Sequence, residues 1–316
     1  MPDTNPTDSD PLGIPLGELF AIIRASDESR TVERVGNAIV VTHDNFTTTI
    51  EVVPYEGPQP PDGGAQAVVR IRSVLIRELA DALSTNERLA LFNRMSTLGA
   101  LTSENGDVYV GSRLTIFRGE EDAWRLHAVL ILTAAETATD SLFGAVRRDL
   151  HGEPHADTPS LWQSDDFELA ESYLSKYGVC EAGESELVAE FALGPDAVGA
   201  AAGGTNTALW QLSAASHPDA GGGLLGILTM PVETTRHGDL DATIADLNRL
   251  EMRPVDAPPH FGAWTRGAID DTVAYCTFLP NLLHDVYGVA VTMSNWAFAR
   301  AQWASRMLEA GSARPS

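Results

Sequence analysis

Lysine is almost missing from this chain. Lys176 is the only one, and the remaining Lys/Arg-type charge is carried by arginine, a bias of the kind GC-rich bacterial coding produces. A Walker phosphate loop is thereby excluded, because it needs a lysine directly after its glycines and Lys176 follows Ser175. Positive charge is scarce as a whole: 21 Lys+Arg stand against 44 Asp+Glu, for a net charge of −23. The deficit is shared by both halves rather than held in one acidic tail. Such a field repels phosphate backbones and anionic lipid, so neither nucleic acid nor a membrane is expected as a partner. It favours basic partners, or serves plain solubility.

Cysteine is equally sparse. Cys180 and Cys276 lie far apart and in no metal-ligand spacing, which excludes a disulfide framework and a zinc cluster and suggests a reduced compartment. No apolar run approaches the ~20 residues that a membrane span requires; the best, Leu126 to Leu132, is too short. The first ten residues, Met1 to Asp10, have neither the basic region nor the apolar stretch of a secretory signal. A cytoplasmic location is the expectation.

At 316 residues, with 44% hydrophobic and 21% charged side chains, the chain has material for two globular domains. Residues 1–14 read as a disordered tail, 15–150 as the first domain, 151–160 as a linker and 161–311 as the second domain. In the first, Leu16, Leu19, Phe20, Ile22 and Ile23 recur at helical spacing. Strands are expected over 31–35, 38–42, 46–53 and 67–72. A helix capped at Ser84 or Thr85 turns Leu89, Phe92 and Met95 inward, strands follow at 108–110 and 114–117, and a long helix closes the domain over 120–148.

The second half repeats this order: a helix through Phe167 and Leu174, strands at 186–193, 207–214 and 224–230, a helix capped by Asp239, strands near 261–266 and 272–278, and a closing helix. Overlaying the halves puts Ser84 on Asp239, Leu89 on Ile244, Asn93-Arg94 on Asn248-Arg249 and, after six extra residues, Phe117 on Phe278 and Leu142 on Trp303. The expected fold class is α+β: two tandem copies of a helix–three strands–helix–two strands–helix domain with antiparallel sheets.

Motifs for chemistry are few. Gly221-Gly222-Gly223-Leu224-Leu225-Gly226 fits G-x-G-x-x-G, but Ile227 to Pro231 read as strand, whereas a dinucleotide loop must open a helix. A hairpin turn is the expected role, and no cofactor is expected. His151, Glu153, His155 and Asp157 carry ligand types but sit in a proline-bearing linker, with no helix to fix two imidazoles. They are read as solvated, and no metal site is expected. Without a G-x-S-x-G elbow, no residue earns a catalytic role; an enzyme assembled from dispersed His127, Asp270, Asp271 or His284 remains the competing reading.

The closing helix is apolar nearly all round, with Trp296, Phe298 and Trp303. A helix on one side of a sheet needs only one apolar arc. Burial against the other domain or a second subunit is therefore expected, with a docked peptide as the alternative.

In element order and acidity both halves resemble the fold of type III secretion chaperones and YbjN-like proteins. That resemblance implies a non-catalytic domain that pairs with a copy of itself and holds unfolded segments of clients. A tandem copy is then similar to a built-in dimer, with homodimerisation of whole chains left open. The expected partner is a protein or peptide client, and neutralisation of a basic toxin is a further alternative.

Overall fold

The computed structural model describes residues 16–26, 31–42, 47–56, 64–76, 89–90, 93, 98–105, 107–117, 159–193, 207–217, 221–232, 239–253, 257–284 and 288–312. Two antiparallel six-stranded sheets carry the fold. The first comprises β1 (Thr31–Val35), β2 (Ala38–Thr42), β3 (Thr47–Pro54), β4 (Ala65–Ile76), β5 (Ala100–Glu104) and β6 (Asp107–Phe117), in the spatial order β1-β2-β3-β4-β6-β5. The second comprises β7 (Gly178–Ala182), β8 (Glu186–Ala192), β9 (Thr207–His217), β10 (Gly221–Pro231), β11 (Ala263–Arg266) and β12 (Thr272–Pro280), in the order β7-β8-β9-β10-β12-β11. Both sheets are thus four-strand meanders whose last two strands are exchanged in space.

Helix α1 (Leu16–Ser26) turns Leu16, Leu19 and Ile23 onto the first sheet, and α2 (Ser164–Leu174) buries Phe167, Ala170 and Leu174 at the same three-then-four spacing. That spacing is one face of a helix, so each shows a single apolar stripe. Helix α3 (Leu240–Glu251) is capped by Asp239, whose side chain accepts from the Asp241 amide. Leu89, Ala90 and Asn93 are helical at the corresponding place in the first half. Helix α4 (Val289–Ser312) lies across α2, β9 and β10.

The first half has the four individual strands expected ahead of its second helix, one more than the three-strand order of the expected fold class, and the second half, where three were expected, also has four. The additional strand in the second half is β7, an edge strand whose outward residue Val179 is exposed, so it lacks the apolar alternation that marks a half-buried strand. In the first half, the expected strands 108–110 and 114–117 are one continuous strand. In β6 Gly111-Ser112-Arg113 are buried on both faces and the ladder runs through them. Its hairpin partner β5 was not anticipated. The expected Ser84 cap, the 120–148 helix and most of the 151–160 linker lie outside the described residues.

The aromatic closing helix packs on its own sheet, as expected of one of its faces. Phe298 stacks on Tyr177 at 4.5 Å and meets Phe191 edge-on, Trp296 stacks near Phe261, and Ser294 accepts a hydrogen bond from the Trp210 indole at 3.0 Å. Among the described residues, these partners all come from the helix's own half.

Candidate functional site

Two repeated details fix how the halves correspond. Asn93 donates to the Leu101 carbonyl (3.0 Å) and accepts from the Leu101 amide (2.7 Å). Asn248 donates to the Trp264 carbonyl (2.9 Å) and accepts from the Trp264 amide (2.8 Å). Each amide side chain therefore mimics a neighbouring strand, satisfying both backbone groups of the second residue of an edge strand. In addition, Ser112 donates to the Leu98 carbonyl and Thr277 to the Phe261 carbonyl. The segments so tied are Leu98-Gly99-Ala100-Leu101-Thr102 and Phe261-Gly262-Ala263-Trp264-Thr265. A Cβ on either glycine would run into the neighbouring strand.

The expected overlay of Asn93 on Asn248 agrees with these contacts; that of Phe117 on Phe278 does not. Leu101 faces Val110 and Trp264 faces Tyr275 across their hairpins, so Arg113, not Phe117, occupies the place of Phe278. The difference arises because the helix-to-strand connection is eight residues longer in the second half, five residues from Asn93 to Leu98 against thirteen from Asn248 to Phe261, and the following hairpin is two longer, nine residues from Leu101 to Val110 against eleven from Trp264 to Tyr275, so the second half has ten extra residues rather than the expected six.

That longer connection builds the one buried charge cluster among the described residues. Glu251 ends α3, Trp264 and Tyr275 come from β11 and β12, Arg300 from α4, and His260 from the connection itself. All five are buried. Glu251 Oε1 accepts from Trp264 Nε1 and Arg300 Nε, both at 2.9 Å, and its Oε2 faces His260 Nδ1 at 2.5 Å. The Arg300 guanidinium lies 3.8 Å from the centre of the Tyr275 ring and donates to the Pro259 carbonyl.

The first half adds one more cation. Arg113 on β6 donates to Thr115 Oγ1 (2.9 Å), to the Ala257 carbonyl (2.8 Å) and to the Pro258 carbonyl (2.7 Å). Its backbone forms an isolated antiparallel bridge with His260, at 2.9 and 2.5 Å. Close by, Thr265 donates to the Ala90 carbonyl at 2.9 Å, α3 packs on β5, and edge strand β11 meets edge strand β5.

Burial pushes the Glu251 carboxyl upward, but Arg300 and His260 outweigh it and hold the group down at about 2. Burial lowers the His260 imidazole; Glu251 pulls the other way, while Arg300 and Arg113 lower it further, so it stays neutral at pH 7. Burial also lowers Arg113, to about 10, which leaves it charged. Tyr275 is raised, chiefly by burial. Two guanidinium groups thus face one carboxylate, and carbonyl dipoles of residues 257–259 compensate the excess.

With Nδ1–H directed at Glu251, His260 Nε2 is a bare acceptor, and it has no hydrogen-bond partner among the described residues. A carboxylate-oriented imidazole of this kind is a general base where substrate can reach it. Here His260 is fully buried, and the cleft of about 210 Å³ between α3, residues 89–93 and β5 has none of the five among its lining residues. The cluster acts as a seam between the halves.

The residues singled out from sequence are not brought together. Asp270 and Asp271 are exposed at the β11–β12 turn, whereas His284 follows the far end of β12. Nine strand residues span about 30 Å. His284 instead lies 3.5 Å from Asp166 and edge-on to Trp162. His127, His151, Glu153, His155 and Asp157 are outside the described residues. The glycine run is strand rather than turn: Gly221 opens β10, no helix follows, and a Cβ on Gly226 would strike the Trp210 indole. Cys180 is raised to about 11, by burial and then Glu171, so its thiol is not an activated nucleophile.

No family model matches the chain, and no curated protein or solved structure matches it. The seam was missed from sequence because Glu251, His260, Tyr275, Arg300 and Arg113 are scattered over 188 positions. The only available signal was the extra length of the 249–260 connection.

Proposed function

We propose that this chain is a non-catalytic, chaperone-like binding protein: two copies of one α+β unit forming a dimer-like body within one polypeptide, which holds an extended segment of a client by strand addition. The single observation that carries the reading is where the strand edges go. Of the four sheet edges, β5 and β11 face each other at the seam, whereas β1 and β7 are end strands paired on one side only among the described residues. An unpaired edge offers a row of backbone donors and acceptors to an extended chain. Val35 on β1 and Val179 on β7 are each 59% exposed, which gives a client side chain an apolar contact beside the backbone ladder.

The shared strand order and the matched Asn93 and Asn248 clamps support the duplication. The negative field, with Glu181 on β7 and Glu190 directly opposite Val179, favours segments that are neutral or basic. What weighs against the competing enzyme reading is that Asp270 and Asp271 lie at one end of β12 and His284 beyond the other, and that His260 is buried; His127 is outside the described residues.

The test is a binding titration of the full chain with unfolded or extended peptides. Val35→Lys and Val179→Lys place a charge on each edge without touching the core. The double variant is expected to weaken binding at least tenfold with unchanged thermal stability. Unaltered affinity would remove the edges from the account.

A further inference from the structure

We propose that residues 257–260 are an acid-released latch, which joins the two halves at neutral pH and lets go as His260 takes up a proton. The latch is a property of the seam's geometry and is independent of what the edges bind. Four features converge on this one segment. It exists only in the second half, as part of the eight-residue extension. It carries the backbone bridge to Arg113. Its carbonyls at Ala257 and Pro258 hold the Arg113 guanidinium, and Pro259 holds Arg300. Its one titratable side chain, His260, sits at the centre of the buried cluster with a bare ring nitrogen.

The groups facing His260 make protonation in place doubly unfavourable. From α3 comes Glu251, the one anion; from α4 and β6 come the cations Arg300 and Arg113; from β12 comes neutral Tyr275, with its hydroxyl 3.4 Å from Nδ1. A second proton would raise the excess positive charge of a site closed to water. It would also create an Nε2–H donor with no partner among the described residues. In the opened state the imidazole meets water and titrates near its ordinary value.

The sign follows from linkage. Because the closed-state value is depressed, the latch is fully closed above about pH 6.5, and opening becomes more favourable as pH falls from there toward the depressed value. The opening equilibrium grows by up to about tenfold per pH unit in that window. Glu251 enters only below about pH 4.5, where protonation of the unfolded carboxyl begins, so a measurement kept above pH 5 isolates the histidine.

Hydrogen exchange of the full chain between pH 7.5 and 5.0, corrected for intrinsic rates, reads this directly. Protection of amides in 107–117 and 257–266 is expected to fall about tenfold or more by pH 5.0, while amides in β7 and β8 keep theirs. His260→Asn retains an N–H for Glu251 but does not titrate, and its protection is expected to be flat across the range. Unchanged protection in the native chain, or an equal loss in the His260→Asn variant, would overturn the latch. Should that variant fail to fold, the ring resonances of His260 in the native chain decide: titration at or above 6.5 in the folded state refutes the proposal, and titration well below it supports it.

Discussion

Single side chains at the seam carry unequal weight, and the differences are calculable from their partners. Glu251 is the sole anion beside two buried guanidinium groups and receives hydrogen bonds from Trp264, His260 and Arg300. Glu251→Gln leaves Arg300 and Arg113 uncompensated in a closed site, and an unfolding free energy lower by about 3–5 kcal/mol is expected in a denaturant titration. Asn93 and Asn248 each satisfy two strand groups in buried surroundings. Asn93→Ala and Asn248→Ala should therefore each cost about 2–3 kcal/mol, by similar amounts if the halves are equivalent. A large inequality between them would argue against equivalence. Arg113→Met keeps the stem's packing but removes the donors to Ala257, Pro258 and Thr115. It is expected to raise amide exchange at 257–266 selectively while leaving β7 to β9 protected.

At the level of elements, local pattern and tertiary context divide the credit. The alternation in 47–53 and the spacing of Leu16, Leu19 and Ile23 were legible because one face of each is buried and the other is not. The continuous β6 was not, since a strand buried on both faces shows no alternation and its glycine looks like a break. Edge strand β7 hid for the opposite reason, having little buried surface to leave a trace. In the proposed binding mode the same weakness is what makes β7 a docking edge. Strand addition needs an edge paired on one side only, as β1 and β7 are among the described residues, and β1 differs from β7 in carrying Glu33 and Arg34 side by side. Mixed charge on β1 against acid alone on β7 gives the edges different preferences, so Val179→Lys is expected to impair a basic client more than Val35→Lys does. Separate titrations of the two single variants check this.

For the whole molecule, net charge and a mixed helix-and-strand content with antiparallel sheets were readable from the chain, whereas the spatial strand order and the way the halves meet were not. The sequence overlay assigned Asn93 and Asn248 to the same place, yet nothing local marked Arg113 as the residue that crosses to the other half. Contacts between residues far apart in sequence leave no periodic signature, and the connection that makes them differs between the halves. No helix among the described residues is long and apolar enough to cross a membrane. In the proposed reading the outer edges receive the partner while the buried cluster holds the halves together. Amide-resolved hydrogen exchange of the full chain at pH 7.5, with and without a saturating extended peptide, separates those roles. New protection is expected in 31–35 or 178–182, with 257–266 unchanged. Protection that appears instead around 257–266, with both edges exchanging as before, would contradict it.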